Sequence, residues 1–261
     1  MKLHKYHGAG NDFLLADNRS GDIRPDADQV RRLCHRHFGF GADGLMLLGP
    51  GRDGFDFTME YYNSDGSGGM MCGNGGRCIV AFAADLGFTS FRFEAADGPH
   101  EARLLSGGNP KTVCLGMKEV ETVERLGPDE FFLDTGTRHY VRFVADPAAT
   151  DLRAVAPAIR YDIRFAPVGT NVNFVHWDGA VLHVRTYEKG VEDETLACGT
   201  GIVASAVAAW LHENLGPLTD IPVRAVGGDL RVSFRPADGA FREVLLTGPA
   251  TFVGTVMTDL P

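Results

Sequence analysis

Two apolar blocks stand out along the chain. Ile79-Val-Ala-Phe-Ala-Ala-Asp-Leu86 and Ile202-Val-Ala-Ser-Ala-Val-Ala-Ala-Trp-Leu211 are rich in good helix formers and long enough to predict two buried helices. The other apolar positions fall into shorter patterns. Residues 2–7 and 13–16 read as short strands, Leu45 to Leu48 as an apolar strand, and Phe55 to Tyr61 alternates as a half-buried one. Further strands are expected at 91–95, 111–117, 243–246 and 250–257. Val30, Leu33, Cys34 and His37 recur at i, i+3, i+4 and i+7 behind Pro25-Asp26, which predicts an amphipathic helix with its start signal and places Cys34 in the core.

Each long apolar block follows a cysteine on a glycine turn, Met71-Cys-Gly-Asn-Gly75 and Ala197-Cys-Gly-Thr-Gly201. Cys72 and Cys198 are therefore expected at helix N-termini, where backbone N–H groups and the helix dipole favour a thiolate and form an anion site. The offset of 126 residues, from 72 to 198, also carries Gly10 onto Gly136, Tyr61 onto Tyr187, Gly73 onto Gly199 and Gly75 onto Gly201. The amphipathic pattern recurs as Leu152, Val155, Ala156 and Ile159, with the offset slipped to 122. An internal repeat of this kind implies two pseudo-symmetric α/β domains, each a mixed sheet or barrel wrapped around one central helix. The expected boundaries are 1–116, joined by the last strand at 250–261, and 117–249. A pseudo-two-fold arrangement would point both helix N-termini at one cleft.

Composition narrows the function. A chain of 261 residues, 44% hydrophobic, can form two cores of ordinary size. A net charge of −9 and an isoelectric point near 5.4 argue against nucleic-acid or anionic-membrane partners, which require a basic surface. No leader-like or membrane-length apolar stretch is present, so a cytoplasmic location is expected. The five cysteines, at 34, 72, 78, 114 and 198, lack zinc-type spacing and read as reduced thiols; His35 and His37 beside Cys34 have no convincing fourth ligand, and no metal site is expected. His7-Gly-Ala-Gly-Asn-Asp12 resembles a dinucleotide fingerprint only superficially, because the third glycine and the following helix are missing.

Two facing thiols at helix ends have a specific chemical use. A substrate carboxylate held by the N–H groups of Gly73, Asn74, Gly199 and Thr200 would place its Cα between the sulfurs. One thiolate removes the Cα proton and the opposite thiol supplies another, inverting the centre without a cofactor. Backbone donors stabilise the negative charge that develops on the carboxylate. An ordinary thiol has a pKa near 8.5, so bringing one to about 7 takes roughly 2 kcal/mol, most of which a helix terminus can supply. His139 and Glu188 are ionisable loop residues near the repeated motifs, although neither is singled out by residue type alone.

The motifs resemble those of diaminopimelate epimerases. The matching segments are His7-Gly-Ala-Gly-Asn-Asp-Phe13, Phe40-Gly-Ala-Asp-Gly-Leu45, Asn63-Ser-Asp-Gly66, Met71-Cys-Gly-Asn-Gly-Gly-Arg77, Asp134-Thr-Gly136 with His139, Tyr187-Glu-Lys-Gly190 and Glu194-Thr-Leu-Ala-Cys-Gly-Thr-Gly201. The resemblance implies a homodimeric enzyme without pyridoxal phosphate that interconverts LL- and meso-diaminopimelate for lysine and peptidoglycan synthesis, its domains closing on the substrate. It implies Cys198 as acceptor of the proton from the L centre, Cys72 as donor, and His139 and Glu188 as groups tuning their protonation. Asn11, Asn63 and Asn171 would contact substrate amino and carboxylate groups, and Gly44 also falls at a binding position. The family's Gly-Asn-Pro-His and Glu-Arg-Gly are here Gly136-Thr-Arg-His139 and Glu188-Lys-Gly190. Thr137 and Lys189 both fall where the family binds the distal end of the substrate, and a lysine cannot form arginine's bidentate fork. Arg138 is a candidate to compensate. A related racemase of histidine, lysine or proline is the alternative.

Overall fold

The computed structural model describes residues 1–69 and 71–259, so the end of the segment expected at 250–261 lies outside the described residues. The chain divides into two compact units, Met1–Leu115 with Gly248–Pro261, and Gly116–Thr247.

In the first unit, β1 (Lys2–Gly8) and β2 (Asn11–Asp17) form an antiparallel hairpin. Its two turn residues, Ala9 and Gly10, both have positive φ (53° and 87°), the signature of a tight two-residue turn whose twist matches the strands. The glycine-rich loop is thus a hairpin turn. After α1 (Ala27–Cys34) come β3 (Gly44–Gly49), parallel to β2, and β4 (Phe57–Asn63), antiparallel to β3. Then follow α2 (Gly73–Asp85), β5 (Phe91–Ala95), β6 (Gly98–Ser106) and β7 (Lys111–Gly116). β7 pairs with the last strand, and that strand pairs back on β1. Among the described residues the eight strands therefore close into a ring around α2.

The apolar runs explain this closure. Gly73 through Ala83 of α2 are all buried, as an interior helix with apolar residues on every side must be. β3 is buried at every position: Leu45 and Leu47 pack with Val30, Leu33 and Cys34 of α1, while Met46 reaches the first turn of α2. Each fully buried large side chain of this kind contributes about 1.5–3 kcal/mol. α1 ends at Cys34, short of the expected His37, because the His35 ring accepts the N–H groups of His37 and Phe38 (3.1 Å each) and turns the chain out.

The second unit repeats the order. β8 (Val123–Gly127), β9 (Glu130–Asp134) and β10 (Arg138–Phe143) form an antiparallel set. α3 (Leu152–Arg160) then leads to β11 (Asn171–Trp177), parallel to β10, and β12 (Leu182–Glu188), antiparallel to β11. The short β13 (Asp193–Thr195) precedes α4 (Gly199–His212). β14 (Asp220–Ala225), β15 (Gly228–Ala237) and the first part of β16 (Ala240–Met257) complete the unit, and Val120 bridges back to Phe241. α3 covers one face of this sheet through Leu152 and Ala156 against Tyr140, Val172 and Phe174. Asn171 and Asn173 alternate with Val172 and Phe174 and so belong to the opposite face, the one that meets α4. The fold is the mixed α/β class the repeat implies.

Candidate active site

Both cysteines are N-caps, with extended backbone at Cys72 (φ −120°, ψ 120°) and Cys198 (φ −105°, ψ 109°), and each helix starts at the next glycine. Their first turns therefore present backbone N–H groups beside a sulfur. The glycines make room for this: a Cβ on Gly75 would run into Met46, and one on Gly201 would lie 2.6 Å from Asn173 Oδ1.

In the first unit, Cys72 Sγ donates to Asn11 Oδ1 (3.5 Å), which also accepts from Asn74 Nδ2 (3.2 Å). Asn11 Nδ2 in turn donates to Asp43 Oδ2 (2.6 Å). Asn74, buried in the first turn of α2, accepts from Arg77 Nη2 (3.0 Å). Arg77 is wholly buried and its remaining bonds go to the carbonyl oxygens of Gly73 (3.3 Å) and Pro249 (3.4 Å). Burial pulls its pKa below the ordinary arginine value, opposed by the negative charge that Cys78 and Cys72 carry when ionised to thiolates. Asn63 ends β4 opposite Gly44 of β3; its Oδ1 accepts from Tyr61 Oη (2.9 Å) and its Nδ2 donates to Ser67 Oγ (3.0 Å). Gly44 has no room for a side chain, since a Cβ would lie 2.5 Å from the Tyr62 carbonyl oxygen.

The second unit builds a different net. Cys198 Sγ lies 3.5 Å from Thr200 Oγ1, which is 3.0 Å from His139 Nε2 and 3.3 Å from Thr137 Oγ1. Asn173 Nδ2 donates to Tyr140 O (2.9 Å) and faces His139 Nδ1 (3.2 Å), and its Oδ1 accepts from Thr186 Oγ1 (2.8 Å). That pattern fixes the Asn173 amide and makes His139 Nδ1 the acceptor, so the imidazole proton sits on Nε2 and is donated to the threonine hydroxyls. Asn171 braces two loops: its Nδ2 donates to Thr137 Oγ1 (3.2 Å) and Arg138 O (3.1 Å), and its Oδ1 accepts the Lys189 N–H (2.8 Å). Thr137 thus stands within two hydroxyls of Cys198. Glu188 accepts from Thr195 Oγ1 (2.8 Å) three residues before the cysteine.

His139 is completely buried, and burial lowers its pKa to about 3, with the Asp134 carboxylate opposing and the Lys189 ammonium adding to the drop. It is neutral across the working pH range. The unfolded chain, with an ordinary histidine pKa near 6.5, binds the proton that the folded state refuses, so stability is lost as pH falls from 6.5 towards 3. In urea melts, His139→Gln should flatten this part of the stability profile, removing a slope of up to about 1.4 kcal/mol per pH unit. An unchanged acid slope would contradict the buried neutral imidazole.

Sequence reasoning passed over Asn173, Asp43 and Arg77 as site residues. Asn171 and Asn173 at i and i+2 in an otherwise apolar strand give one polar stripe, a readable sign that β11 turns a polar face towards something specific. Arg77 carried a signal too, as a charge two residues before the apolar run that starts at Ile79. Among the described residues no group of three His, Cys, Asp or Glu side chains is placed to hold a metal ion. No helix among them is long and apolar enough to cross a membrane.

The fold is shared with isomerases of related architecture and with a phenazine-biosynthesis protein. A probable proline racemase from Agrobacterium radiobacter K84 superposes with a TM-score of 0.69 at 16% identity, over 100% of this chain and 93% of that one. A phenazine biosynthesis protein of the PhzF family from Bacillus anthracis gives 0.73 at 12% identity, over 99% of both chains. Sequence then narrows the class: the pattern of the diaminopimelate epimerase family matches residues 3–122 and 131–253, and the chain belongs to that family. The diaminopimelate epimerase of Flavobacterium psychrophilum is 43% identical over 97% of this chain and 98% of its own length. That of Chlorobaculum tepidum is 40% identical over 95% and 98%. The chain is accordingly an isomerase.

Proposed function

We propose that this enzyme interconverts LL- and meso-2,6-diaminopimelate by moving protons between one Cα and the thiols of Cys72 and Cys198, with no cofactor. The observation that carries the reading is the duplicated N-cap cysteine, each on a helix whose first turn can receive a carboxylate oxygen. One sulfur, as thiolate, takes the Cα proton. The electron pair delocalises into the carboxylate, where the N–H groups of Gly73, Asn74, Gly199 and Thr200 stabilise it. The other sulfur, as thiol, delivers its proton to the opposite face, and the two thiols end with their protonation states exchanged. Asn11 and Asn63 supply polar contacts from the first unit, and Asn171 holds the loops carrying Thr137 and Lys189.

The distal carboxylate of the substrate is assigned to Lys189 and Arg138, cationic side chains on the two loops that Asn171 ties together. A homodimer in the cytoplasm completes the reading. Turnover should be at least about 10²-fold higher on LL-diaminopimelate than on lysine, histidine or proline, because a site built for a second charged end leaves it unpaired with those substrates. Lys189→Met should raise KM for diaminopimelate about tenfold or more, with a smaller change in kcat, as expected for loss of a contact remote from the reacting carbon. Comparable turnover on a single amino acid would instead favour the racemase reading. An unchanged KM in both Lys189→Met and Arg138→Ala would remove these residues from the distal site.

A further inference from the structure

The turn that carries Lys189 runs straight into three consecutive carboxylates, Glu192, Asp193 and Glu194. β12 and β13 pair Glu188 with Asp193, so residues 189–192 form the turn between the two strands. The chain comes round at Gly190 (φ 94°) and Glu192 (φ 57°), and the Glu192 N–H closes the turn on the Glu188 carbonyl (2.8 Å). A glutamate in the left-handed region carries a conformational cost, so contacts from outside the turn must hold it there.

Each carboxylate is gripped by an arginine. Arg153 and Arg160, at i and i+7 on one face of α3, take Asp193 and Glu192, and Arg185 of β12 takes Glu194. The grips differ. Arg153 and Arg185 each make a two-pronged bond through Nε and Nη2, at 2.8 and 2.9 Å and at 2.6 and 2.7 Å. Arg160 reaches Glu192 Oε1 through Nη2 alone (2.9 Å), and Arg160 Nε and Glu192 Oε2 are buried with no hydrogen-bond partner. That Oε1 also accepts the Gly190 N–H (3.0 Å). A pair selected for stability alone would close its fork; this one leaves two polar atoms unsatisfied while its bonded oxygen holds the backbone next to Lys189.

The guanidinium has a fixed seat. It lies over the Tyr161 ring, 4.7 Å from the centroid, and against Gly169, where a Cβ would collide with Nη1. Two residues on is Asn171, whose Oδ1 accepts the Lys189 N–H (2.8 Å). Lys189 is thus held through its own amide by Asn171 and through the next amide by Glu192. Against burial, which acts the other way, the Gly190 N–H, the Tyr161 hydroxyl and Arg160 keep the Glu192 pKa below the ordinary carboxylate value, so the grip is ionic at neutral pH. We infer that Arg160 and Glu192 are positioning residues for the distal end of the substrate: Arg160 fixes the Glu192 carboxylate, the carboxylate fixes the Gly190 amide, and the turn so held presents the Lys189 ammonium.

The inference rests on the assignment of Lys189 to the distal carboxylate, and its test reads the turn and the substrate separately. Arg160→Met keeps the apolar stem and removes the guanidinium. Hydrogen–deuterium exchange of the substrate-free enzyme, followed by mass spectrometry, should quicken about tenfold in the peptide covering residues 188–193 and stay unchanged in α4. KM for LL-diaminopimelate should rise about three- to tenfold, with kcat within about threefold of wild type. In a double-mutant cycle, Arg160→Met combined with Lys189→Met should match Lys189→Met alone within about twofold in KM, because both changes remove one contact. Arg160→Lys can still make the single bond to Glu192 and should recover most of the KM and of the protection. Glu192→Gln, which leaves Arg160 in place, should show the Arg160→Met pattern more weakly. Wild-type exchange of the turn in both Arg160→Met and Glu192→Gln overturns the inference whatever the kinetics. So do KM effects of Arg160→Met and Lys189→Met that multiply in the double variant. Faster exchange with an unchanged KM in Lys189→Met leaves the grip on the turn standing and removes Lys189 from the distal end.

Discussion

Replacing Cys72 or Cys198 by alanine is expected to lower kcat for diaminopimelate by about 10³-fold or more in either direction. A positioned acid or base contributes about 10²–10⁴-fold, and a two-base inversion needs both groups in every turnover. The losses should not add: once one sulfur is gone the other has no partner, so the double variant should be scarcely slower than the singles. Binding of substrate should survive, because the backbone N–H groups of α2 and α4 remain. Serine at either position keeps a proton donor but loses most of the base, so Cys72→Ser and Cys198→Ser should be impaired unequally in the two directions. Retention of activity within tenfold in either alanine variant, measured by circular dichroism of the diaminopimelate isomers, would contradict the assignment.

The second large effect is expected at Gly201. A methyl group there would lie 2.6 Å from Asn173 Oδ1, 3.2 Å from His139 Cε1 and 3.4 Å from Cys198 Cβ. Asn173 has no slack to yield, because Tyr140, His139 and Thr186 all hold it. Overpacking of this kind costs about 1–3 kcal/mol, and here the displaced groups are those that position Thr200 and the sulfur. Gly201→Ala should therefore lower both the unfolding midpoint and kcat, the latter by at least about tenfold, since small displacements of catalytic groups are costly. Gly107→Ala, with nothing within 4 Å of the added carbon, is the control and should change stability by less than about 0.5 kcal/mol. Equal behaviour of the two variants would mean the packing around Asn173 is looser than described.

The parts of the molecule that repeat and bury themselves were legible in the sequence. The apolar blocks behind Cys72 and Cys198 became α2 and α4, and the cysteines became their N-caps because the glycines that follow begin each helix. Among the strands that escaped notice, β15 carries in Leu230, Val232 and Phe234 the same alternation that marks Phe55 to Tyr61 and was readable, whereas β6 sets only the half-buried His100, Ala102 and Leu104 between exposed residues and gives little apolar signal. α1 was read one turn too long because His37 keeps the helical spacing while the His35 ring, a local competitor, ends the helix. At the site, the residue types were visible and their partnerships were not. Nothing in the sequence pairs Asn173 with His139 or Asn74 with Arg77, since these bonds depend on β11 meeting β10 and on the first turn of α2 folding back on itself. The motif residues Asp43 and Arg77 stood in plain view without a role until each was seen to end a hydrogen-bond chain.

The most direct measurement of the two-thiol account is isotope entry during the first turnovers. LL-diaminopimelate is incubated with the enzyme in D2O, and the substrate and product pools are analysed separately by mass spectrometry before the reverse reaction sets in. Two bases on opposite faces predict meso product carrying one deuterium at the inverted Cα while the remaining LL substrate stays unlabelled. Product that retains the substrate's own hydrogen, or deuterium entering substrate as fast as product, would contradict it.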